Sequence, residues 1–180
     1  AQYLEIKGQF GHYLEDPYTP RVEREPKTDH VTFAFIGGGF GGLATGARLV
    51  EAGITDVRII EKGGDFGGTW YWNRYPGARC DIESIDYSYS FSEELQREWS
   101  WTERYATQPE ILRYANHVAD RFNLRNDIQF NTRVRSAVFD EAASRWTVTT
   151  SDGQAWSGQF LIMATGCLSS FNKPAIPGVD

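Results

Sequence analysis

The sequence predicts an α/β fold: a parallel sheet flanked by helices, with an inserted antiparallel meander of three strands. Three observations predict it. A short apolar run, "VTFAFI" (31–36), leads at once into a cluster of glycines, then a helical pattern, then a second apolar run, "DVRIIEK". Later segments read as strands parted by the turn sequences "EAAS" and "DG". A final apolar run, "QFLIMATG", precedes a tail rich in Gly, Ser and Pro. At 180 residues the chain suffices for one domain with its own core.

In chain order, residues 1–30 are polar, carry Pro17, Pro20 and Pro26, and read as an extension on the surface of a domain spanning 31–180, with room for a short helix. "VTFAFI" is β-branched and aromatic throughout, as a strand buried on both faces requires. In "LATGARLVEAG", Leu43, Ala47 and Val50 share one helical face, and Gly53 ends the helix. "DVRIIEK" then supplies a second buried strand ending at Glu61, so 31–62 form a strand–loop–helix–strand unit, the start of a Rossmann-like sheet.

From Gly63 to about Phe91 no period is evident, and a loop of that length inside a compact domain is usually functional. Thr107-Gln108-Pro109-Glu110 reads as a capping box opening a helix whose apolar face holds Ile111, Leu112, Ala115, Val118, Ala119 and Phe122. Strand-like pieces at roughly 129–139, 145–151 and 154–157 form the meander, and "QFLIMATG" is a separate last strand.

Composition narrows the function. A net charge of -6 argues against a general binder of nucleic acid or anionic membrane. No apolar run reaches membrane-spanning length, the N-terminus lacks a signal-peptide layout, and two cysteines in a domain this size look like reduced thiols, so a cytoplasmic setting is expected. His12, His30 and His117 stand apart, without metal-ligand spacing, and no metal is expected.

Gly37, Gly39 and Gly42 satisfy G-x-G-x-x-G, between a buried strand and a helix. The first allows the tight turn, the second a close approach to a pyrophosphate, and the third close packing of helix on strand. The helix N-terminus adds free amides and partial positive charge. Glu61, 24 residues beyond Gly37, can accept hydrogen bonds from a ribose diol and would repel a 2'-phosphate, so this pocket suits FAD or NAD.

The excursion after Glu61 favours flavin. It contains "GGTWYWNRYPGARCD" (67–81), whose glycines let backbone approach a ligand and whose indoles supply flat apolar walls with one donor each. With "GGGFGG" upstream and "MATG" downstream, "GGTWYWNRYPGARCDIES" resembles the FAD-binding domain of the flavin-dependent Baeyer–Villiger monooxygenases over about residues 31–178. The resemblance implies an enzyme that uses FAD, NADPH and molecular oxygen to convert ketones to esters or lactones through a flavin peroxide. It implies a diphosphate on Gly37, Gly39, Phe40 and Gly42, and an adenosine ribose on Glu61 with Lys62 beside it. Gly68, Thr69, Trp70 and Tyr87 would line the flavin, and the backbone of Val134 would meet the adenine. Arg79, Cys80 and Asp81 match a segment that NADP also touches. Asp81 would lie by the flavin ring and pair with an arginine from a second domain, a catalytic role. Ala164, Thr165 and Gly166 match the turn passing the cofactor.

The chain ends at "KPAIPGVD" without a second G-x-G-x-x-G, so the resemblance implies the FAD-binding part of a longer enzyme, whose remaining domains are its partners, and a piece inactive alone. Two alternatives are a flavin-containing N- or S-oxygenating monooxygenase, which shares the domain plan but lacks most of the run from Trp70 to Asp81, and a non-catalytic FAD-binding module. Cys80 reads as a small buried residue, since no histidine base lies near it in sequence.

Overall fold

In a computed structural model that describes residues 16–20, 28–169 and 175–178, six strands form one mixed sheet. The rest of the 1–30 extension and the end of the Ser- and Pro-containing tail lie outside the described residues. Strand β1 (Thr28–Ile36) starts three residues before the expected Val31, and leads through the glycine loop into α1 (Phe40–Glu51) and β2 (Val57–Ile60). The expected β–α–β unit is therefore present. Leu43 and Ala47 are buried on α1, and the Gly53 N–H donates to the Val50 carbonyl at its end.

The sheet order is β3-β2-β1-β6-β5-β4, where β3 is Ile128–Gln129, β4 Val134–Asp140, β5 Arg145–Thr150 and β6 Ala155–Met163. The pairs β3–β2, β2–β1 and β1–β6 are parallel, while β4–β5 and β5–β6 are antiparallel. Two sequence expectations need correction. The piece at 129–139 divides into the short parallel β3 and the meander strand β4. The pieces at 154–157 and 159–163 are one nine-residue strand, β6, whose first half closes the meander on β5 while its whole length pairs with β1. Gly158 sits within it without breaking it, because a side chain there would press on Ala34 Cβ at 3.2 Å.

Adjacent residues of β1 face opposite sides of the sheet. Phe35 joins Leu43, Ala47, Ile59, Tyr114 and Val118 beneath α1 and α4 (Gln108–Arg121). Ala34 joins Ile60, Val148 and Trp156 on the other side.

The long excursion is not a bare loop. It contains a helical turn, α2 (Thr69–Trp72), a 3-10 turn at Ser84–Tyr87 and a short helix, α3 (Glu93–Glu98), capped by Ser92. The capping box at 107–110 is also revised. Thr107 makes no side-chain cap, and Glu110, 2% exposed, instead accepts from Thr102 N–H and Oγ1 at 2.8 and 2.9 Å. Donors one segment away outcompete the helix's own end for this buried carboxylate. No helix among the described residues is long and apolar enough to cross a membrane.

Candidate dinucleotide site

The site begins where β1 ends. Gly37 has φ +111°, a conformation that L side chains rarely adopt, and a methyl group there would lie 2.4 Å from the Ala164 carbonyl oxygen. Beyond β6, Ala164 thus closes against the glycine loop. A methyl on Gly42 would sit 2.1 Å from the Gly37 carbonyl oxygen, so the first turn of α1 lies directly on the loop. Across the gap, a methyl on Gly39 would be 3.3 Å from Gly68 Cα, and one on Gly68 would be 2.8 Å from Gly39 Cα. Two backbones from distant parts of the sequence face each other with no side chain between them.

Glu61, just past β2, is 5% exposed. Its Oε2 accepts the Gly38 N–H and its Oε1 the Gly63 N–H, each at 2.7 Å. Burial raises its carboxyl above the ordinary 4.5, against the lowering pull of those two amides and of Lys62. Each carboxylate oxygen keeps a lone pair for a further donor. Alongside, Thr132 N–H donates to the Glu61 carbonyl and Asn131 N–H to the Gly63 carbonyl, which places Val134 two residues beyond this ladder at the start of β4. Lys62 is exposed, with Nζ 4.7 Å from the centre of the Trp72 ring.

On the other flank of the loop, Phe40, Trp70 and Tyr87 form an aromatic group. Phe40 meets Tyr87 edge-on at 5.2 Å between ring centres, and Trp70 meets it at 5.6 Å. The Trp70 Nε1–H donates to Tyr87 Oη at 2.9 Å, leaving the Tyr87 hydroxyl proton available for another acceptor. Burial raises the Tyr87 phenol above its ordinary 10, and the neighbouring Asp81 charge adds to that. Thr69 opens the turn α2 beside Gly68.

Asp81 is exposed. Cys80 before it is 4% exposed, in one cluster with Trp70, Ala106 and Ile111, so its thiol faces the interior and only its backbone borders the surface. Arg79 is exposed, with Nη1 3.1 Å from a Glu103 carboxylate oxygen. Thr165 and Gly166 are exposed after Ala164. The structure therefore brings together Gly37, Gly39, Gly42, Gly68, Glu61 and Ala164 in one group, and Phe40, Trp70 and Tyr87 in another. Arg79 and Asp81 lie on the outer side of the cluster around Cys80.

Three supporting residues escaped sequence reasoning. Gly38 N–H holds Glu61, a role hidden because Gly38 is a variable position of the glycine pattern. Gln108 Nε2 donates to the Trp70 carbonyl, although "TQPE" read as a cap. Asp16 accepts hydrogen bonds from Gly64 and Tyr71, and no local pattern marks it.

Residues 34–180 match the family described as pyridine nucleotide-disulphide oxidoreductase. The chain belongs to that family. Among curated relatives of this pyridine nucleotide-disulphide oxidoreductase chain is a Baeyer-Villiger monooxygenase of Streptomyces coelicolor, 45% identical over 99% of this chain and 29% of its own length. The phenazine N-monooxygenase PhzNO1 of Lysobacter antibioticus is 46% identical over 84% of this chain and 28% of its own length. A solved structure described as OTEMO complex with FAD and NADP superimposes with a TM-score of 0.75 at 43% identity, covering 82% of this chain and 28% of that one. The resemblance to Baeyer–Villiger monooxygenases read from residues 67–84 is thus borne out, as is the Rossmann-like fold. The chain spans under a third of the length of these relatives.

Proposed function

We propose that the chain is the FAD-binding portion of an NADPH- and oxygen-dependent Baeyer–Villiger monooxygenase that converts ketones to esters or lactones in the cytoplasm. The observation that carries this reading is a cradle of bare backbone, Gly37–Gly39 facing Gly68, opening beside the buried carboxylate of Glu61. The donor set fits FAD. Gly37, Gly39 and Gly42 allow the α1 N-terminal amides and the Phe40 backbone to hold the diphosphate. Glu61 accepts the ribose hydroxyls, while Lys62 and the Val134 backbone flank the adenosine. Gly68, Thr69, Trp70 and Tyr87 wall the flavin, with the Tyr87 hydroxyl oriented by the Trp70 indole. Ala164, Thr165 and Gly166 close the cradle from the β6 side.

Bound FAD supplies the redox chemistry that joins NADPH to molecular oxygen. Asp81 has the catalytic part among these residues: an exposed carboxylate on the flavin side orients an arginine from the remainder of the enzyme. Such fixed charge, kept from bulk water, is what stabilises developing negative charge. The backbone from Arg79 to Cys80 borders the path of NADPH.

The test uses the full-length enzyme with NADPH, oxygen and a panel of cyclic and aryl ketones. Ester or lactone formation is expected; NADPH oxidation that yields only hydrogen peroxide with every ketone would refute the reading. A second reading, oxygenation of a ring nitrogen, is favoured by the phenazine N-monooxygenase relative. An N-oxide from a phenazine in the same assay, with no ester from any ketone, would select it.

A further inference from the structure

We propose that the turn Asp16–Thr19 is a latch on the cofactor pocket, and that Asp16 is its positioning residue, slowing release of the bound dinucleotide. The inference rests on the reading of the Glu61 pocket as the ribose site. Asp16 Oδ2 accepts the Gly64 N–H at 2.7 Å, the Tyr71 hydroxyl at 2.6 Å and the Thr19 hydroxyl at 2.6 Å. Its Oδ1 accepts the N–H of Tyr18 at 2.8 Å. One loop is therefore held by two carboxylates through consecutive amides, Gly63 by Glu61 and Gly64 by Asp16.

The contact is close-fitting. A methyl on Gly64 would sit 1.9 Å from Thr19 Oγ1, so the loop backbone lies directly against the turn. Thr19 Oγ1 is also 3.3 Å from Asn131 Oδ1, and Asn131 N–H donates to the Gly63 carbonyl. The turn also reaches the end of α2, the helical turn that bears Trp70. Tyr18 Oη donates to the Trp72 carbonyl at 3.0 Å, and the Arg74 guanidinium lies 3.7 and 4.8 Å from the ring centres of Tyr18 and Tyr71, which meet edge-on.

A surface staple has no reason to converge on the amide beside the one Glu61 holds. The arrangement also works against simple electrostatics, because the Asp16 charge raises the Glu61 carboxyl further. What the second carboxylate provides in return is position. With Gly64 and Tyr71 tied to Asp16, neither the loop after Glu61 nor the turn bearing Trp70 can swing outward without breaking charge-assisted hydrogen bonds. One side chain, 48 residues before Gly64, thus ties both segments.

The experiment measures the rate of FAD release from the full-length holoenzyme by recovery of free flavin fluorescence, and the melting temperature of the FAD-free protein, for Asp16→Ala, Tyr71→Phe and Glu61→Ala. Loss of the charged acceptor should speed release about tenfold or more in Asp16→Ala. Tyr71→Phe, which removes one of three donors to Oδ2 and keeps the ring, should speed it by a smaller factor. The FAD-free melting temperature should move less than that of the holoenzyme. Unchanged release in both latch variants, with a lower FAD-free melting temperature, would make the turn a plain structural staple and overturn the proposal. Should Glu61→Ala lose flavin while the latch variants release it at the normal rate, the latch alone is wrong. Should Glu61→Ala keep its flavin, the ribose reading falls and takes the latch with it.

Discussion

In the proposed site Glu61 is buried and held still by two amides, as a carboxylate that meets a ribose at a fixed angle would need to be. Those two amides occupy one lone pair on each oxygen, and the proposed role gives the rest to the ribose hydroxyls. Glu61→Ala should therefore purify with little FAD, read from the ratio of flavin absorbance to protein absorbance. Its titration gives a separate check in the FAD-free protein. Because burial raises its folded pKa above the ordinary 4.5, its contribution to stability is complete below pH 4.5 and is lost as pH rises through the folded value. Asp16 runs the other way. Partial burial pushes its carboxyl up, but hydrogen bonds from Thr19, Tyr71, Tyr18 and Gly64 prevail and hold it below the ordinary 3.8. Its contribution is present above pH 3.8 and is lost as pH falls through the lower value. Relative to Glu61→Ala, the wild-type melting temperature should decline as pH rises from 4.5; parallel curves would contradict the assignment. At Gly42, where the added methyl would meet the Gly37 oxygen at 2.1 Å, alanine should cost about 1–3 kcal/mol in urea denaturation.

Single elements carry loads that their sequences only half reveal. The glycine loop and Glu61 were legible because their chemistry is local: strand, turn, helix and strand-end carboxylate follow one another. The first turn of α4 was misread for an equally local reason. Thr107 and Glu110 have capping-box spacing, but spacing cannot report that Thr102 brings two donors to the buried Glu110 carboxylate. Removing that carboxylate leaves the Thr102 N–H unpaired, so Glu110→Ala should destabilise the protein by about 2 kcal/mol in chemical denaturation. Strand β6 was read as two pieces, whereas it runs unbroken through Gly158, where the neighbouring strand leaves little space for a side chain. Its Trp156, with no exposed surface, is a main support of the second core cluster. Trp156→Ala should cost about 3–5 kcal/mol by the same measurement.

For the molecule as a whole, the sequence pattern held the class of fold and most of the cradle, while the contacts that join distant segments were invisible. Asp16 is the clearest case: a carboxylate in a Pro-flanked polar stretch has no signature until the chain folds back on the loop. Aromatic richness at 67–75 likewise did not reveal that Tyr71 and Arg74 pack against Tyr18.

The seating of β6 against β1 also has a consequence for synthesis. His30 and Ser157, partners in that pairing, are 127 residues apart, and Ala164, which closes the cradle, comes later still. At about 5–20 residues per second, a ribosome exposes the glycine loop on the order of ten seconds before its closing strand exists. Throughout that interval β1 has an open edge of a kind that invites wrong pairing. Flavin added to stalled nascent chains should be retained only once the chain has emerged past Ala164, so a strand made long after the loop decides when the loop can work.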